Sequence, residues 1–183
     1  MNLREYMKVM WDEGLFKYYE NHLHMNEQQI LNAVEESRHY VESKERAKFF
    51  PGFIDFLKEF KRRGGIIEVV TFGREEAIYK HYKALTNDEI KPDIVFGWEK
   101  DKREQCKPYA YPVEEAMRRY NLNKEDVVVI DDMPAGIEMA HNAGVTVVGA
   151  MYGEGHEVLE EDMKKICDRV FDKVEDFYDF VLN

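Results

Sequence analysis

The sequence predicts an α/β protein built on a doubly wound parallel sheet. Runs of branched apolar residues alternate with amphipathic helical segments from Pro51 to the end of the chain, and this alternation implies parallel βαβ units with right-handed crossovers. The run Val127–Ile130 is apolar at every position, as in a strand that is buried on both faces. Helices are therefore expected on both faces of the sheet.

Length, charge and cysteine content narrow the class of protein. The 183 residues suffice for one domain with a hydrophobic core and a small appendage. A net charge of −11 argues against a nucleic-acid partner or an anionic membrane, because phosphate groups repel such a surface. Cys106 and Cys167 form no disulfide framework and fit a reducing compartment, so we expect a cytoplasmic protein. The apolar runs are too short for a signal peptide or a membrane span.

The first fifty residues are predicted to be helical and to form a small cap. Asn2 can cap a first helix in which Glu5 completes a capping-box-like pair, and later apolar residues repeat at helical spacing. Pro51 marks a boundary. The predicted organisation is a helical cap over residues 1–50 and an α/β core over residues 51–183.

Elements of the core follow from apolar periodicity and from glycine and proline positions. In chain order the sequence predicts a helix over Phe53–Phe60, a strand over Ile66–Thr71, a helix over Arg74–Leu85, a strand over Ile94–Phe96, a helix over Val113–Tyr120, the strand Val127–Ile130, a helix from Pro134 to a stop at Gly144, a strand over Val145–Ala150, a short strand over Arg169–Phe171 and a terminal helix containing Val174 and Val181.

Two adjacent carboxylates follow the most apolar strand. Asp131 and Asp132 come directly after Ile130, where a parallel strand would enter the crevice at the carboxyl edge of the sheet. Carboxylate oxygens at that edge are ligands that Mg²⁺ accepts. The alternative is that the pair only caps the helix beginning at Pro134, since Asp favours helix N-termini.

Two further polar residues are expected at the same edge. Thr71 ends its predicted strand as Ile130 does, so its hydroxyl could donate a hydrogen bond to a phosphoryl oxygen in the crevice. The alternative is that Thr71 was selected for strand propensity. Lys107 precedes Pro108, which places it in a loop. The alternative for Lys107 is a solvated lysine in a strongly charged neighbourhood.

These segments together resemble the haloacid dehalogenase-like hydrolases, particularly the branch that includes phosphoglycolate phosphatase and β-phosphoglucomutase. The stretch Val127–Val145, with its Asp pair and Pro-Ala-Gly-Ile turn, resembles the fourth motif of that family. An apolar strand closing on Thr71 resembles the second motif, and Lys107 with Pro108 resembles the third. The resemblance covers roughly Pro51 to the end of the chain and implies a small cap on a Rossmann-like core.

The resemblance implies a role for each of these residues. Asp132 would bind Mg²⁺ directly and Asp131 would support it. Lys107 would neutralise the charge of the phosphate and hold the nucleophile in place, and Thr71 would bind the phosphate. The implied activity is that of a Mg²⁺-dependent phosphatase acting on a small phosphorylated metabolite, with Lys107 and Thr71 as the catalytic residues present in this chain.

The first motif of the family, a strand ending in Asp-x-Asp-Gly-Thr, is not found. Its leading Asp is the nucleophile, and without it the remaining groups can position a phosphate but not perform the usual transfer. The nearest candidate is Val9–Gly14, which contains Asp12, but this segment has helical apolar spacing. Because the first-motif strand lies centrally in the family, its absence would leave two rows of backbone groups unpaired.

Three explanations for the missing motif remain open. The expected one is an N-terminally shortened form of a normal enzyme, because the helical start resembles the cap that follows the first motif. Otherwise another segment of the chain fills the gap, or a neighbouring copy fills it as in a homodimer, or the protein is a natural non-catalytic relative.

The sequence therefore supports a hydrolase that is inactive as this chain alone. The alternative is a non-catalytic module that either binds a phosphorylated ligand or has a regulatory role. A third hypothesis is an unrelated doubly wound domain whose Asp pair is only a cap. His141 and His156 are expected to be structural or solvated rather than catalytic.

Overall fold

The computed structural model describes residues 2–44 and 48–183, with side chains described for residues 2–38 and 48–183. Its helices and strands, in chain order, are α1 Leu3–Asp12, α2 Gly14–Leu23, α3 Glu27–Lys44, α4 Phe53–Arg62, β1 Glu68–Val70, α5 Glu75–Leu85, β2 Ile94–Phe96, α6 Tyr111–Tyr120, β3 Val128–Asp131, α7 Pro134–Ala143, β4 Thr146–Ala150, α8 Glu160–Ile166, β5 Arg169–Phe171 and α9 Val174–Leu182. Short 3₁₀ helices span Lys100–Gln105, Lys124–Asp126 and His156–Leu159.

The N-terminal segment is helical, as predicted. The amide of Glu5 donates to Asn2 Oδ1 at 3.0 Å and the amide of Asn2 donates to Glu5 Oε2 at 2.9 Å, so the capping box is present. Met7 of α1 packs with Leu159 and Met163, which follow β4. Val9–Gly14 is thus not a strand. The division into a cap over 1–50 and a core over 51–183 stays a prediction, although α1 contacts the α/β part directly.

All strand pairs are parallel, as the fold class requires. β1 pairs with β2, with Val69 opposite Val95. β3, β4 and β5 lie in that order, with Ile130 opposite Val148 and Gly149 opposite Val170. In the described ranges the strands form these two separate sheets, and β1 shares no ladder with β3.

Two hydrophobic clusters cover the two faces of both sheets. One cluster contains Phe56, Leu57, Val148 and Phe177, and both Val69 of β1 and Ile130 of β3 pack against it. The other contains Val113, Ile137, Ala140 and Val147, and both Val70 of β1 and Val129 of β3 pack against it. The two sheets therefore belong to one layer between two sets of helices, which is the doubly wound arrangement.

Differences from the predicted elements occur at boundaries and in short helices. Strand β1 begins at Glu68 rather than Ile66, because the amide of Ile67 donates to the carboxylate of Asp93 at 2.8 Å instead of entering a ladder. Helices α2 and α8 were not predicted separately, since both are short and follow directly on other helical turns. No helix within residues 2–44 and 48–183 combines the length and apolarity needed to cross a membrane.

Glu68 gives the fold a testable pH dependence. Burial raises the pKa of this carboxyl group from 4.5 to about 8, against a smaller opposing attraction from Arg119. The folded chain therefore binds the proton more tightly than the unfolded chain, so the free energy of unfolding falls as the pH rises from about 4.5 towards 8. We expect Glu68→Gln to raise the free energy of unfolding by on the order of 2 kcal/mol at pH 8 and to change it little at pH 4.5.

Urea unfolding at both pH values measures this difference. The control is Glu76→Gln, which replaces an exposed glutamate on α5 and should leave the pH profile unchanged. An equal gain at both pH values for Glu68→Gln would show that the carboxyl group ionises normally.

Candidate active site

The centre of the candidate site is an ion pair between Lys107 and Asp131. Lys107 lies in the loop before α6, and Asp131 is the last residue of β3. Lys107 Nζ donates to Asp131 Oδ2 at 2.7 Å, and each side chain is only 11% exposed. Burial raises the pKa of Asp131, and the Lys107 ammonium opposes this. The loop after β2 and the end of β3 are therefore joined by a charged contact that is largely shielded from water.

The remaining atoms of Asp131 fix the turn into α7. Its Oδ1 accepts a hydrogen bond from the amide of Met133 at 2.9 Å. The carboxylate also lies directly against Gly136, where a Cβ atom would be 1.9 Å from Asp131 Oδ2. Only glycine leaves this space, so the Gly of the Pro-Ala-Gly-Ile turn is required for the carboxylate to reach Lys107.

Asp132 faces a histidine from another loop. His156 Nε2 lies 2.8 Å from Asp132 Oδ2, and the side chains are 12% and 47% exposed respectively. The hydrogen bond to Asp132 raises the pKa of His156. Burial is the largest single influence and raises the pKa of Asp132, but the hydrogen bond and the charge of His156, together with a backbone hydrogen bond and the charge of Lys107, outweigh it, so the pKa is lowered. The pair is thus an aspartate and a histidine that each favour the charged form of the other.

Thr71 follows β1 at the same edge of the sheet. Its Oγ1 accepts a hydrogen bond from the amide of Gly73 at 2.9 Å. The next residue, Phe72, places its ring 5.3 Å from Lys107 Nζ, a cation–π distance. The loops that carry Thr71 and Lys107 therefore meet the end of β3, with Asp131, at one rim of the α/β layer.

A cavity lined by both aromatic and charged side chains opens beside the carboxylates. It has a volume of about 330 Å³ and is bordered by Asp131, Asp132 and His156. Its apolar walls come from the segment before α4 and from the loop after β4, where Phe50 and Tyr152 contact edge to face at 4.8 Å between ring centroids. Burial, and then the two aspartates, raise the pKa of the Tyr152 hydroxyl. The site therefore has a charged side and an aromatic side.

Asp131 and Asp132 could supply only some of the ligands that a Mg²⁺ ion needs. Among the described residues no group of three or more His, Cys, Asp or Glu side chains is arranged to hold a metal ion. Mg²⁺ commonly binds through one or two carboxylates and keeps water and substrate phosphate as its other ligands. Asp132, which is nearly half exposed, is the available carboxylate. The donor set is compatible with Mg²⁺ bound together with a phosphate.

Sequence reasoning placed Thr71, Lys107, Asp131 and Asp132 at this rim but missed its other residues. The prediction that His156 is structural or solvated overlooked its contact with Asp132. One signal was present in the sequence: His156 follows the strand predicted over Val145–Ala150. In a parallel sheet the loop after that strand begins at the same edge as the loop that follows Asp131. A Cβ atom on Gly153 would be 2.3 Å from the His156 ring, so this loop is shaped to bring the histidine close.

Comparison with known proteins identifies the family. Residues 2–150 match the family model described as haloacid dehalogenase-like hydrolase, and the chain belongs to that family. The hypothesis of an unrelated doubly wound domain is therefore wrong. No curated protein sequence matches the chain significantly.

Solved structures with the same fold are haloacid dehalogenase-like phosphatases and their relatives. A haloacid dehalogenase-like hydrolase from Streptococcus pneumoniae has a TM-score of 0.74 at 18% identity, over 98% of this chain and 81% of that one. A predicted phosphoglycolate phosphatase from Haemophilus somnus has a TM-score of 0.65 at 17% identity, over 98% and 82%. CbbY from Rhodobacter sphaeroides, solved with xylulose-1,5-bisphosphate, has a TM-score of 0.66 at 19% identity, over 94% and 78%.

Gly136→Ala tests the close approach of α7 to Asp131. The added methyl group would occupy the position of the carboxylate, so we expect the free energy of unfolding to fall by about 1–3 kcal/mol even though alanine favours helix. Chemical unfolding measures the change. Glu138→Ala on the exposed face of α7 is the matched control. A Gly136→Ala variant as stable as the wild type would mean that Asp131 does not need its present position.

The His156–Asp132 pair predicts a second pH dependence. Because the pKa of His156 is raised on folding, its contribution is complete below its ordinary pKa of 6.5 and is lost as the pH rises through the higher folded value. Because the pKa of Asp132 is lowered, its contribution is present above 3.8 and is lost in acid. We expect His156→Asn to lower the free energy of unfolding by about 2 kcal/mol at pH 6 and by less at pH 9.

Unfolding is measured in a buffer that contains a chelator, so that metal binding does not contribute. His141→Asn, at an exposed position of α7, is the control. A cost for His156→Asn that is the same at both pH values would contradict an ionic pair.

Proposed function

We propose that this rim binds the phosphate group of a small phosphorylated metabolite together with Mg²⁺, as a phosphatase site does. The observation that carries the proposal is the ion pair in which Lys107 Nζ lies 2.7 Å from Asp131 Oδ2, next to Asp132. Membership of a hydrolase family is consistent with it. The bisphosphate ligand named for the CbbY structure is also consistent with the proposal.

The side chains at the rim supply complementary contacts for phosphate. Lys107 provides a positive charge in a shielded place, where a phosphate oxygen would share it with Asp131. The Thr71 hydroxyl already accepts from Gly73, which leaves its own hydrogen to be donated to a phosphoryl oxygen. Mg²⁺ held by Asp132 and Asp131 would neutralise further phosphate charge.

We further propose that this chain does not carry out phosphoryl transfer on its own. The two carboxylates at the rim are engaged, Asp131 by Lys107 and the Met133 amide and Asp132 by His156. Asp12, the candidate nucleophile from the sequence, ends α1 and pairs with Lys8 at 3.0 Å. None of these acids is presented as a free nucleophile.

A non-catalytic module that binds a phosphorylated ligand is the second candidate. It is favoured by the contacts of Asp131 with Lys107 and of Asp132 with His156, because a site whose carboxylates are already paired can bind anions without a metal. The two candidates differ in coupling: the phosphatase site requires Mg²⁺ and phosphate to strengthen each other's binding, whereas the module binds phosphate equally with and without Mg²⁺.

The cellular setting is part of the proposal. Both cysteines, Cys106 and Cys167, are free thiols, which supports a reducing compartment such as the cytoplasm. A net charge of −11 supports a small metabolite rather than nucleic acid or a membrane as the partner.

Orthophosphate and MgCl₂, added singly and together, test the proposal in thermal-shift and calorimetric titrations. Each ligand at one hundred times its Kd should add about 2.7 kcal/mol to the free energy of unfolding, with tighter phosphate binding when Mg²⁺ is present. Asp132→Asn should weaken Mg²⁺ binding at least tenfold. Lys164→Met, at an exposed position on α8, is the control and should bind both ligands normally.

The role of Lys107 is tested in a double variant. Removing one partner of a buried ion pair leaves an uncompensated charge, whereas removing both is tolerated better. Lys107→Met combined with Asp131→Asn should therefore fold but lose phosphate binding. Undiminished phosphate affinity in the double variant would place the phosphate elsewhere.

Hydrolysis of p-nitrophenyl phosphate with Mg²⁺ should stay at the level of the buffer. Turnover that exceeds this level and persists in Asp12→Asn would contradict the proposal that the chain lacks a usable nucleophile.

A further inference from the structure

We propose that His156 is a positioning residue for metal binding: helix α1 holds it in place, and it orients the Asp132 carboxylate towards the cation. This role rests on the proposed function, in which Asp132 is a ligand of Mg²⁺. It assigns a task to His156 and to α1, neither of which would touch the metal or the phosphate.

Asp132 needs an orienting contact because its side chain lies partly in solvent. The side chain is 47% exposed, and a carboxylate that is free at such a position has several rotamers, of which metal binding must select one. His156 Nε2 lies 2.8 Å from Asp132 Oδ2. This contact fixes the carboxylate through one oxygen and leaves Oδ1 to face a cation. Hydrogen bonds to a ligating carboxylate commonly set its direction in this way.

The His156 ring is itself held by its own loop. The side chain is only 12% exposed, and the backbone amide of His156 donates to the Gly153 carbonyl at 3.2 Å. A Cβ atom at Gly153 would lie 2.3 Å from the ring atoms Cε1 and Nδ1, so the backbone of the loop lies directly against the ring. Nδ1 is buried and has no hydrogen-bond partner among the described residues. The contact with Asp132 is therefore made through Nε2 of a ring that has little freedom to turn.

Helix α1 contacts the chain on both sides of His156. On one side is Gly155, where a Cβ atom would be 3.0 Å from Leu3 Cγ and where φ is +84°, a conformation that favours glycine. On the other side Glu157 Oε1 accepts a hydrogen bond from Arg4 Nε at 2.7 Å. The ion pair is exposed and contributes little by itself. The close packing of α1 against Gly155 is thus the stronger of the two contacts.

A buried apolar cluster strengthens the link between α1 and the histidine. Met7 of α1, Leu159 and Met163 form this cluster, and Leu159 and Met163 are fully buried. Leu159 ends the 3₁₀ helix that begins at His156. Because α1 packs on the same short helix that carries the histidine, a change in this packing should reach Asp132 through His156.

Competition between His156 and the cation for Asp132 is the opposite role, and the geometry favours it less. A competing histidine must move away when the metal binds. Here the ring packs against Gly153 and its helix packs against α1, whereas the half-exposed Asp132 has a second carboxylate oxygen to offer. The arrangement therefore suits a fixed ring and a cation bound on the other side of the carboxylate.

Calorimetric titration of the full chain with MgCl₂ tests the hydrogen bond. His156→Leu removes the donor, and we expect the affinity for Mg²⁺ to fall at least ~10-fold. His156→Gln places an amide N–H near the position of Nε2 and should bind within about threefold of the wild type. His141→Leu, the same change at an exposed position of α7, is the control and should not alter binding.

Two results of this titration would overturn the positioning role while leaving the proposed function intact. One is a His156→Leu variant that binds Mg²⁺ as tightly as the wild type. The other is a loss in His156→Gln as large as the loss in His156→Leu, since the restored donor would then have no effect.

The wild-type chain gives a second measurement, which requires no variant to fold. In nitrogen NMR spectra the His156 Nε2 proton should be hydrogen-bonded and should stay so when MgCl₂ saturates the protein. Loss of that proton signal on addition of Mg²⁺ would show that the histidine leaves Asp132, and the positioning role would be wrong. A bonded Nε2 proton without any Mg²⁺ binding would instead contradict the proposed function.

The part played by α1 is tested with Met7→Ala in two backgrounds. It should weaken Mg²⁺ binding about threefold or more in the wild-type chain and have a smaller effect in His156→Leu, because residues that act through one another do not give additive losses. Met117→Ala on α6, which packs against a different cluster, is the control and should bind Mg²⁺ normally. Fully additive losses in the double variant would show that α1 does not act through His156.

Discussion

The ion pair between Lys107 and Asp131 is the constraint around which the rest of the site is arranged. Both side chains are 11% exposed and their charged atoms are 2.7 Å apart, so losing one partner would leave an isolated buried charge at a cost of about 3–5 kcal/mol. The pair joins the loop after β2 to the end of β3. It draws Phe72 towards the same rim and permits only glycine at position 136.

The sheet follows a different constraint, which is apolar packing. The clusters on its two faces hold β1 and β3 in one layer even though the strands share no ladder. Packing needs only apolar surface and tolerates an interruption, whereas backbone hydrogen bonds require a neighbour at about 4.8 Å. This difference explains how a parallel fold can keep both cores although β1 and β3 share no ladder within residues 2–44 and 48–183.

Much of the fold was predictable because its signals are local. The capping residues Asn2 and Glu5, the apolar run ending at Ile130 and the helix from Pro134 to Gly144 each depend on spacing within a few residues, and the structure matches them closely. The start of β1 was placed too early because the bond between Ile67 and Asp93 joins residues 26 positions apart. No local pattern contains that contact.

By itself the sequence determined that Thr71, Lys107, Asp131 and Asp132 lie at strand ends or in the loops that follow them, because strand ends and breakers are encoded by neighbouring residues. Only the tertiary structure decided which of them touch. Lys107 meets Asp131, and His156 meets Asp132, each across 24 residues of chain. Such contacts are selected by the packing of whole elements, so their physical cause lies in the folded layer and not in any stretch of the sequence.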